Sequence, residues 1–354
     1  MKNFFSELHY AKNPNIIQKS VGAILFFAVP FYWLASELKN ISYKIKTSKS
    51  VDIDDVKVIS VGNITTGGVG KTPIVAQIAN YLATKDNVAI LSRGYGGKLD
   101  NKEINVVKQD GKILFEADEC GDEPFWLAQN TNANVSILTC ANRVKSGQFA
   151  KEKLNCKFLI LDDGFQHQKL KRDIDIIVFD ADKLIGNGFV LPLGPLREPL
   201  FNVSRADKII LTNKNLSFGK VEEIKKNIEK KFKKDVIVCN VMPQKIYNIK
   251  NNNELNDESN KIGAFCGIGQ PELFYQYLKD FELIFTQSYS DHHAYSQNDI
   301  DDLVKKAQNL GITKLVTTEK DAVKLSNIDS KNVDIYALKI APNLDIEELL
   351  NEKA

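Results

Sequence analysis

Residues 65–72 read Thr65-Thr66-Gly67-Gly68-Val69-Gly70-Lys71-Thr72, a glycine-rich stretch closed by a lysine and a hydroxyl residue. Glycines let successive backbone N–H groups turn toward phosphate oxygens, and a helix N-terminus adds positive partial charge. Lys71 then reaches the β- and γ-phosphates of a nucleotide, and the Thr72 hydroxyl ligates Mg²⁺. Position 65 is Thr where the strict pattern has Gly, and Gly67 and Gly68 supply the flexibility further on. An ordinary glycine-rich turn can carry the same letters, so the flanking elements decide. A phosphate cradle also needs an acidic group for the metal. The apolar run Phe158-Leu159-Ile160-Leu161 delivers Asp162 and Asp163 at its end, the side of an open α/β sheet where ligands bind. Without the P-loop, the same pair would read as an acidic turn capping a buried strand.

The elements that must position these residues alternate in the manner of an α/β fold with a mostly parallel sheet. Apolar runs at 56–62, 87–92, 135–139, 158–162, 174–180 and 208–212 read as strands. Residues 73–84 have helical apolar spacing, with Pro73 suited to a first turn. The loop therefore lies between a strand and a helix, as a cradle requires. Beyond residue 215 a Lys-rich helical stretch leads to a strand at 236–242 and a polar Asn-rich turn at 248–261. Strands at 262–268, 282–288, 314–318 and 333–338, with helices at 272–278 and 298–310, form a second, smaller α/β unit. The expected organisation is an N-terminal segment (1–50), a P-loop domain (51–215), a connection (216–261) and a C-terminal α/β domain (262–354).

Composition sets outer limits. The 354 residues suffice for two cores, and 47 Lys and Arg against 45 Asp and Glu leave a charge of +2, which argues against a nucleic-acid binder. Five cysteines, with no C-x-x-C pair, suit a reducing compartment.

Val21 to Ser36 is an apolar run of 16 residues containing Pro30, shorter than the ~20 residues of a spanning helix. Phe26, Phe27, Phe31, Tyr32 and Trp33, followed by Lys39, Lys44, Lys46 and Lys49, suit a helix lying in the headgroup layer of an anionic membrane. A buried core helix with a basic loop is the alternative. The segment is expected to be a separable anchor, its removal costing membrane binding and lipid chemistry far more than ATP hydrolysis.

Further motifs narrow the acceptor. VGNITTGGVGKTP, SRGYGG, Gly121-Asp122-Glu123-Pro124, LDDGFQH, Pro192-Leu193-Gly194-Pro195-Leu196-Arg197-Glu198-Pro199, Asp291-His292-His293 and TTEKDAVKL occur in this order along nearly the whole chain. Together they resemble the tetraacyldisaccharide 4′-kinase family, the lipid A 4′-kinases. The resemblance implies ATP- and Mg²⁺-dependent phosphorylation of the 4′-hydroxyl of a tetraacylated glucosamine disaccharide 1-phosphate. The implied setting is the cytoplasmic face of a bacterial inner membrane, with a peripheral or monotopic monomer and no nucleic-acid partner. It also implies a catalytic carboxylate at Asp122 paired with His292, and a further metal carboxylate at Glu198. From the residues alone, Asp122 reads more readily as a helix N-cap. Arg93 and Arg197 are candidates for substrate contact, each with a plain structural alternative, and Asp291 for substrate contact or for orienting His292. His293 is expected to pack or face solvent, and His167 to support the acidic pair or the fold.

The rival reading is a membrane-associated regulatory ATPase with a deviant Walker A loop. That group places a lysine before the two glycines, where this chain has Thr66. A D-H-H phosphoesterase lacks its upstream Asp-rich motifs here, and a nucleoside kinase leaves the apolar N-terminus without a purpose.

Overall fold

The computed structural model describes residues 2–11, 13–45, 49–214, 216–255, 260–291, 293–325 and 328–350. Three helices open the chain: α1 (Lys2–Tyr10), α2 (Ile16–Phe26) and α3 (Val29–Lys44). Asn15 and Gln18 form a capping box that starts α2, and Pro30 stands in the first turn of α3, where its missing N–H costs nothing. The proline thus begins a second helix, and the two meet at a bend of 51°. Among the described residues no single helix is long and apolar enough to cross a membrane, although this bent pair passes by length and composition. The pattern of α3 is inside out for a helix in water. Phe31, Leu34, Leu38 and Ile41, at helical spacing, are exposed, while Glu37 is buried.

Among the described residues thirteen strands build one sheet. In chain order they are β1 (Lys57–Gly62), β2 (Val88–Ser92), β3 (Asn105–Gln109), β4 (Lys112–Ile113), β5 (Val135–Thr139), β6 (Phe158–Asp162) and β7 (Ile174–Asp180). Then follow β8 (Lys208–Asn213), β9 (Val236–Asn248), β10 (Lys261–Cys266), β11 (Glu282–Ser288), β12 (Lys314–Thr318) and β13 (Asp334–Asn343). Their spatial order is β11-β10-β12-β13-β9-β8-β7-β1-β6-β2-β5-β3-β4. Strands β9 through β5 pair in parallel, as do β11 through β13, and the two parallel sets meet where β9 runs antiparallel to β13. The architecture is α/β with a mostly parallel sheet.

β9 is the seam: Val236 to Asn240 pair with β8, and Asn240 to Asn248 pair with β13. The strand expected at 236–242 runs on to Asn248, past Pro243, which cannot donate to a ladder. Pro243 instead sits opposite Ile340, where the register shifts by a bulge, a position that tolerates proline. A second element escaped the reading, the hairpin β3–β4 turned by Asp110-Gly111, both at positive φ.

The remaining helices are α4 (Lys71–Leu82), α5 (Ala117–Cys120), α6 (Asp122–Gln129), α7 (Arg143–Leu154), α8 (Phe218–Phe232), α9 (Pro271–Tyr277), α10 (Gln297–Asn309), α11 (Glu319–Ala322) and α12 (Ile346–Leu350). One core joins α4, α6 and α12 to the sheet, and Gln77 of α4 donates to the Pro342 carbonyl at 2.6 Å. The last helix of the stretch read as a second domain thus packs on the P-loop helix. Another core takes in Val29 and Tyr32 of α3 together with α8 and the loop around Leu196.

Candidate active site

β1 ends at Gly62 and α4 begins at Lys71, with the glycine-rich loop between them. Gly67 (φ +99°) and Gly70 (φ +83°) take left-handed backbone that a side chain would strain, and added Cβ atoms at Gly67 and Gly68 would meet nothing within 4 Å. The glycines therefore present an open backbone surface. The rest of the loop is pinned: Thr66 N–H donates to Pro195 O (2.8 Å), Tyr10 Oη to Thr66 O (3.0 Å), and Thr212 Oγ1 to Val69 O (3.0 Å). Thr65 is buried and bridges to Leu196. Lys71 Nζ donates to Asn63 Oδ1 at 2.9 Å and lies 3.2 Å from Asp163 Oδ1. Thr72 follows in the first turn of α4.

Asp162 closes β6, beside β1, and Asp163 follows with φ +54°. Their environments split the pair. Burial, together with Glu123 and Asp163, pushes the Asp162 carboxyl up to about 7 against Lys71 and Arg143. Burial also works to raise Asp163, but Lys71 and Arg197, the latter at 2.7 Å, outweigh it and hold this carboxyl down at about 2. Asp162 has a donor in Ser92 Oγ at 3.3 Å and is 4% exposed. A buried carboxylate with so little compensation fits a cation. Among the described residues no three His, Cys, Asp or Glu gather as a metal cage. Mg²⁺ is usually held by one or two carboxylates plus substrate phosphates, a number that Asp162 and Asp163 provide.

Glu198 is held by protein donors. The expected metal carboxylate is 2% exposed and already accepts from Arg205 Nη1 (2.7 Å) and Nη2 (3.1 Å), Asn40 Nδ2 (3.0 Å) and Gln166 Nε2 (3.0 Å). These four donors saturate both oxygens. Its neighbour Arg197 does reach the site, through Asp163.

Asp122 is the first residue of α6, with Gly121 (φ +98°) in the cap position. Its Oδ2 lies 3.4 Å from Lys324 Nζ, which is 3.5 Å from Asp321 Oδ1. Asp321 is fully buried, accepting from Gly267 N–H (2.9 Å) and Thr318 Oγ1 (2.8 Å). His292 lies outside the described residues, and with it the expected pairing to Asp122. Asp291 stands beside Gly269 after β11, and its charge is felt by Lys183. His293 stacks on Tyr289 (4.6 Å) and faces Asp299 (3.3 Å), a packing role. Burial first, then Arg143, Lys39 and nearby cations, push His167 down to about 4. Arg93 is exposed after β2, its charge opposing Arg143.

The sequence reading passed over Arg143. This buried arginine at the start of α7 donates to Cys140 O (3.1 Å) and Ala141 O (3.3 Å), and its charge faces Asp162. Its signal was position, just beyond the C-terminal end of β5 on the edge that carries the P-loop. Asn213 and Lys214 are structural: Asn213 closes its own turn onto Leu216, and Lys214 pairs with buried Asp180 at 2.7 Å.

A P-loop opening an α/β sheet, a lysine on the phosphate path and a split acidic pair define a P-loop phosphotransferase. The chain belongs to the LpxK family, whose sequence model, described as tetraacyldisaccharide-1-P 4′-kinase, matches residues 22–354. It is 35% identical to the tetraacyldisaccharide 4′-kinase of Halothermothrix orenii, over 96% of this chain and 94% of that one. The Desulfotalea psychrophila tetraacyldisaccharide 4′-kinase is 36% identical over 83% and 86% of the two chains. LpxK from Aquifex aeolicus, solved in complex with ATP, is 30% identical with a TM-score of 0.74, covering 93% of this chain and 97% of that one.

Proposed function

We propose that this protein transfers the γ-phosphate of ATP to the 4′-hydroxyl of a tetraacylated glucosamine disaccharide 1-phosphate in lipid A synthesis. The observation that carries the reading is convergence. Lys71 reaches Asp163, and Glu123, beside Asp122, is near enough to raise Asp162. The nucleotide machinery and a candidate base therefore share one end of the sheet.

The backbone amides of residues 65–72 and Lys71 hold the phosphates. Thr72, Asp162 and Asp163 would hold Mg²⁺, which would supply positive charge against the phosphate oxygens. Asp122 takes the proton of the sugar hydroxyl as that oxygen bonds to the γ-phosphorus, and the bond to the β–γ bridging oxygen breaks to release ADP. Lys324, from the C-terminal lobe, aims the Asp122 carboxylate, and His292 from the same lobe completes the dyad when the cleft closes. Arg93, Arg197 and Asp291 line the acceptor side. The four segments expected from the sequence stand as the proposed domain division, with α12 packed back on the P-loop helix.

The exposed stripe on α3 lies in the headgroup layer of the inner membrane's cytoplasmic face, and the enzyme acts there as a monomer on a substrate whose acyl chains stay in the bilayer. A regulatory ATPase is disfavoured by Thr66, which stands where that group needs a lysine. The test is incubation with γ-labelled ATP and the acylated disaccharide 1-phosphate in detergent micelles. Label should appear in the lipid fraction, and release only as inorganic phosphate would sink the reading.

A further inference from the structure

An inside-out helix has two faces to account for. The outward stripe of α3 suits lipid, whereas its inward face carries Tyr32, Glu37 and Asn40, with Lys39 beside them, and every one is bonded to the catalytic domain. Tyr32 Oη donates to Arg197 O (3.0 Å), and Lys39 Nζ donates to Gln166 O (2.9 Å). Asn202 Nδ2 donates to Glu37 Oε1, and Asn40 Nδ2 donates to Glu198 Oε2 (3.0 Å). Glu37, Asn202 and Glu198 are all buried. A simple anchor needs none of these bonds, because burying polar groups contributes little unless their geometry is used.

The bonds continue inward without a break. Glu198 Oε1 accepts from Gln166 Nε2 (3.0 Å), and the same amide donates to Asn63 O (2.9 Å). Asn63 Oδ1 in turn accepts from Lys71 Nζ (2.9 Å). In a second branch, Gln166 Oε1 accepts from Arg197 (3.4 Å), which holds Asp163 at 2.7 Å. The side chains of the apolar helix are thus linked through Glu198 and Gln166 to the phosphate-binding lysine.

We infer that α3 is a working part of the ATP site, with Asn40 and Lys39 as positioning residues that set Lys71 and Asp163 through Glu198 and Gln166. The inference rests on the P-loop reading for the role of Lys71 but not on the identity of the acceptor. Asn40 both donates to Glu198 and accepts from Gln168 Nε2, so it fixes one side of the saturated Glu198 carboxylate. Loss of that donor frees Glu198 to draw Gln166 away from Asn63.

Three full-length variants test this by ATP binding, read with a fluorescent ATP analogue in the absence of acceptor. Asn40→Asp keeps the shape of the side chain but sets a carboxylate against Glu198, so ATP affinity should fall roughly ten-fold, the scale of one charge-assisted hydrogen bond. A role in packing alone would tolerate this isostere. Lys39→Met, at an exposed position that leaves folding safe, should weaken ATP binding about three-fold by freeing the Gln166 carbonyl. Binding of Asn40→Asp to phosphatidylglycerol vesicles should stay within about two-fold of wild type, because the apolar face is untouched. Phe31→Ser with Leu38→Ser should do the reverse, losing vesicle binding while keeping ATP affinity. Thermal unfolding identifies any variant that fails to fold, in which case Lys39→Met alone decides. Wild-type ATP affinity in the folded Asn40→Asp or Lys39→Met protein would overturn the relay. If wild-type protein bound ATP but labelled no lipid, the acceptor reading would fail and the relay would stand.

Discussion

Lys324 Nζ lies 3.4 Å from Asp122 Oδ2, joining the last part of the chain to the first turn of α6. The lysine is 9% exposed and has a second carboxylate, Asp321, at 3.5 Å, itself fully buried. The ammonium is thus held from its own side and presented to Asp122, so the stretch after β12 reaches the proposed base.

Replacing Lys324 should therefore damage turnover more than nucleotide binding. Lys324→Met is expected to lower kcat by about ten- to a hundred-fold with the KM for ATP little changed, the pattern of a misplaced catalytic group. Lys324→Arg should recover part of the loss. Equal losses in kcat and in ATP affinity would mean that the pair only braces the fold.

Groups that act as a unit lose activity non-additively. Asp122→Ala, His292→Ala and the double variant should lose similar amounts of kcat, while His293→Ala, whose ring packs on Tyr289, should be mild. Losses that multiply, or a damaging His293 change beside a mild His292 one, would dissolve the proposed dyad.

Lys71→Ala should abolish most transfer, by about 10²–10³-fold on the scale of removing a preorganised charge from phosphoryl transfer. The protein should stay folded, because Asp163 keeps Arg197 at 2.7 Å and is not left as a lone buried charge. Circular dichroism and label transfer check the two halves. Full activity would refute the P-loop assignment.

Asp162 carries a stability cost that can be measured. Its carboxyl titrates near 7 in the fold against an ordinary value of about 3.9. The folded state then binds more protons than the unfolded one between these values, so this residue's contribution is fully present below about pH 4 and is lost as pH rises through 7. In nucleotide-free protein with chelator, Asp162→Asn should be inactive yet more stable than wild type at pH 8, by a few kcal/mol in order of magnitude. The gap should close by about pH 4. Asp175 and Glu319, also raised by burial, titrate in both proteins and cancel in the difference. Parallel stability curves would contradict the buried, under-compensated state of Asp162.

Residues 1–40 are not the separable anchor that their composition suggested. Tyr10 bonds the P-loop itself and α3 bonds the loop at 197–202. Removal of residues 1–40 should therefore weaken ATP binding as well as vesicle binding, and a truncated protein that hydrolyses ATP normally would restore the simpler view.

Short-range chemistry was legible from the sequence. A strand, a glycine turn and a helix start within residues 57–72 make a phosphate cradle almost whatever surrounds them, because the turn needs only local backbone freedom. The same holds for Asp162 and Asp163, delivered by one apolar strand, and for the alternating strands that announced the α/β sheet. Tertiary structure decided everything that depends on a partner far along the chain. Nothing in the sequence near Glu198 announces that Arg205, Asn40 and Gln166 all donate to its oxygens. The strand read at 236–242 continues to Asn248, because a bulge at Gln244 of β9 itself accommodates Pro243 in the pairing with β13. The apolar N-terminus looked like an anchor, but which of its polar side chains turn inward is set by packing against the loop after Pro192. A side chain's charge and shape are fixed by its type, whereas its role is fixed by the donors and acceptors that the fold brings within hydrogen-bonding distance.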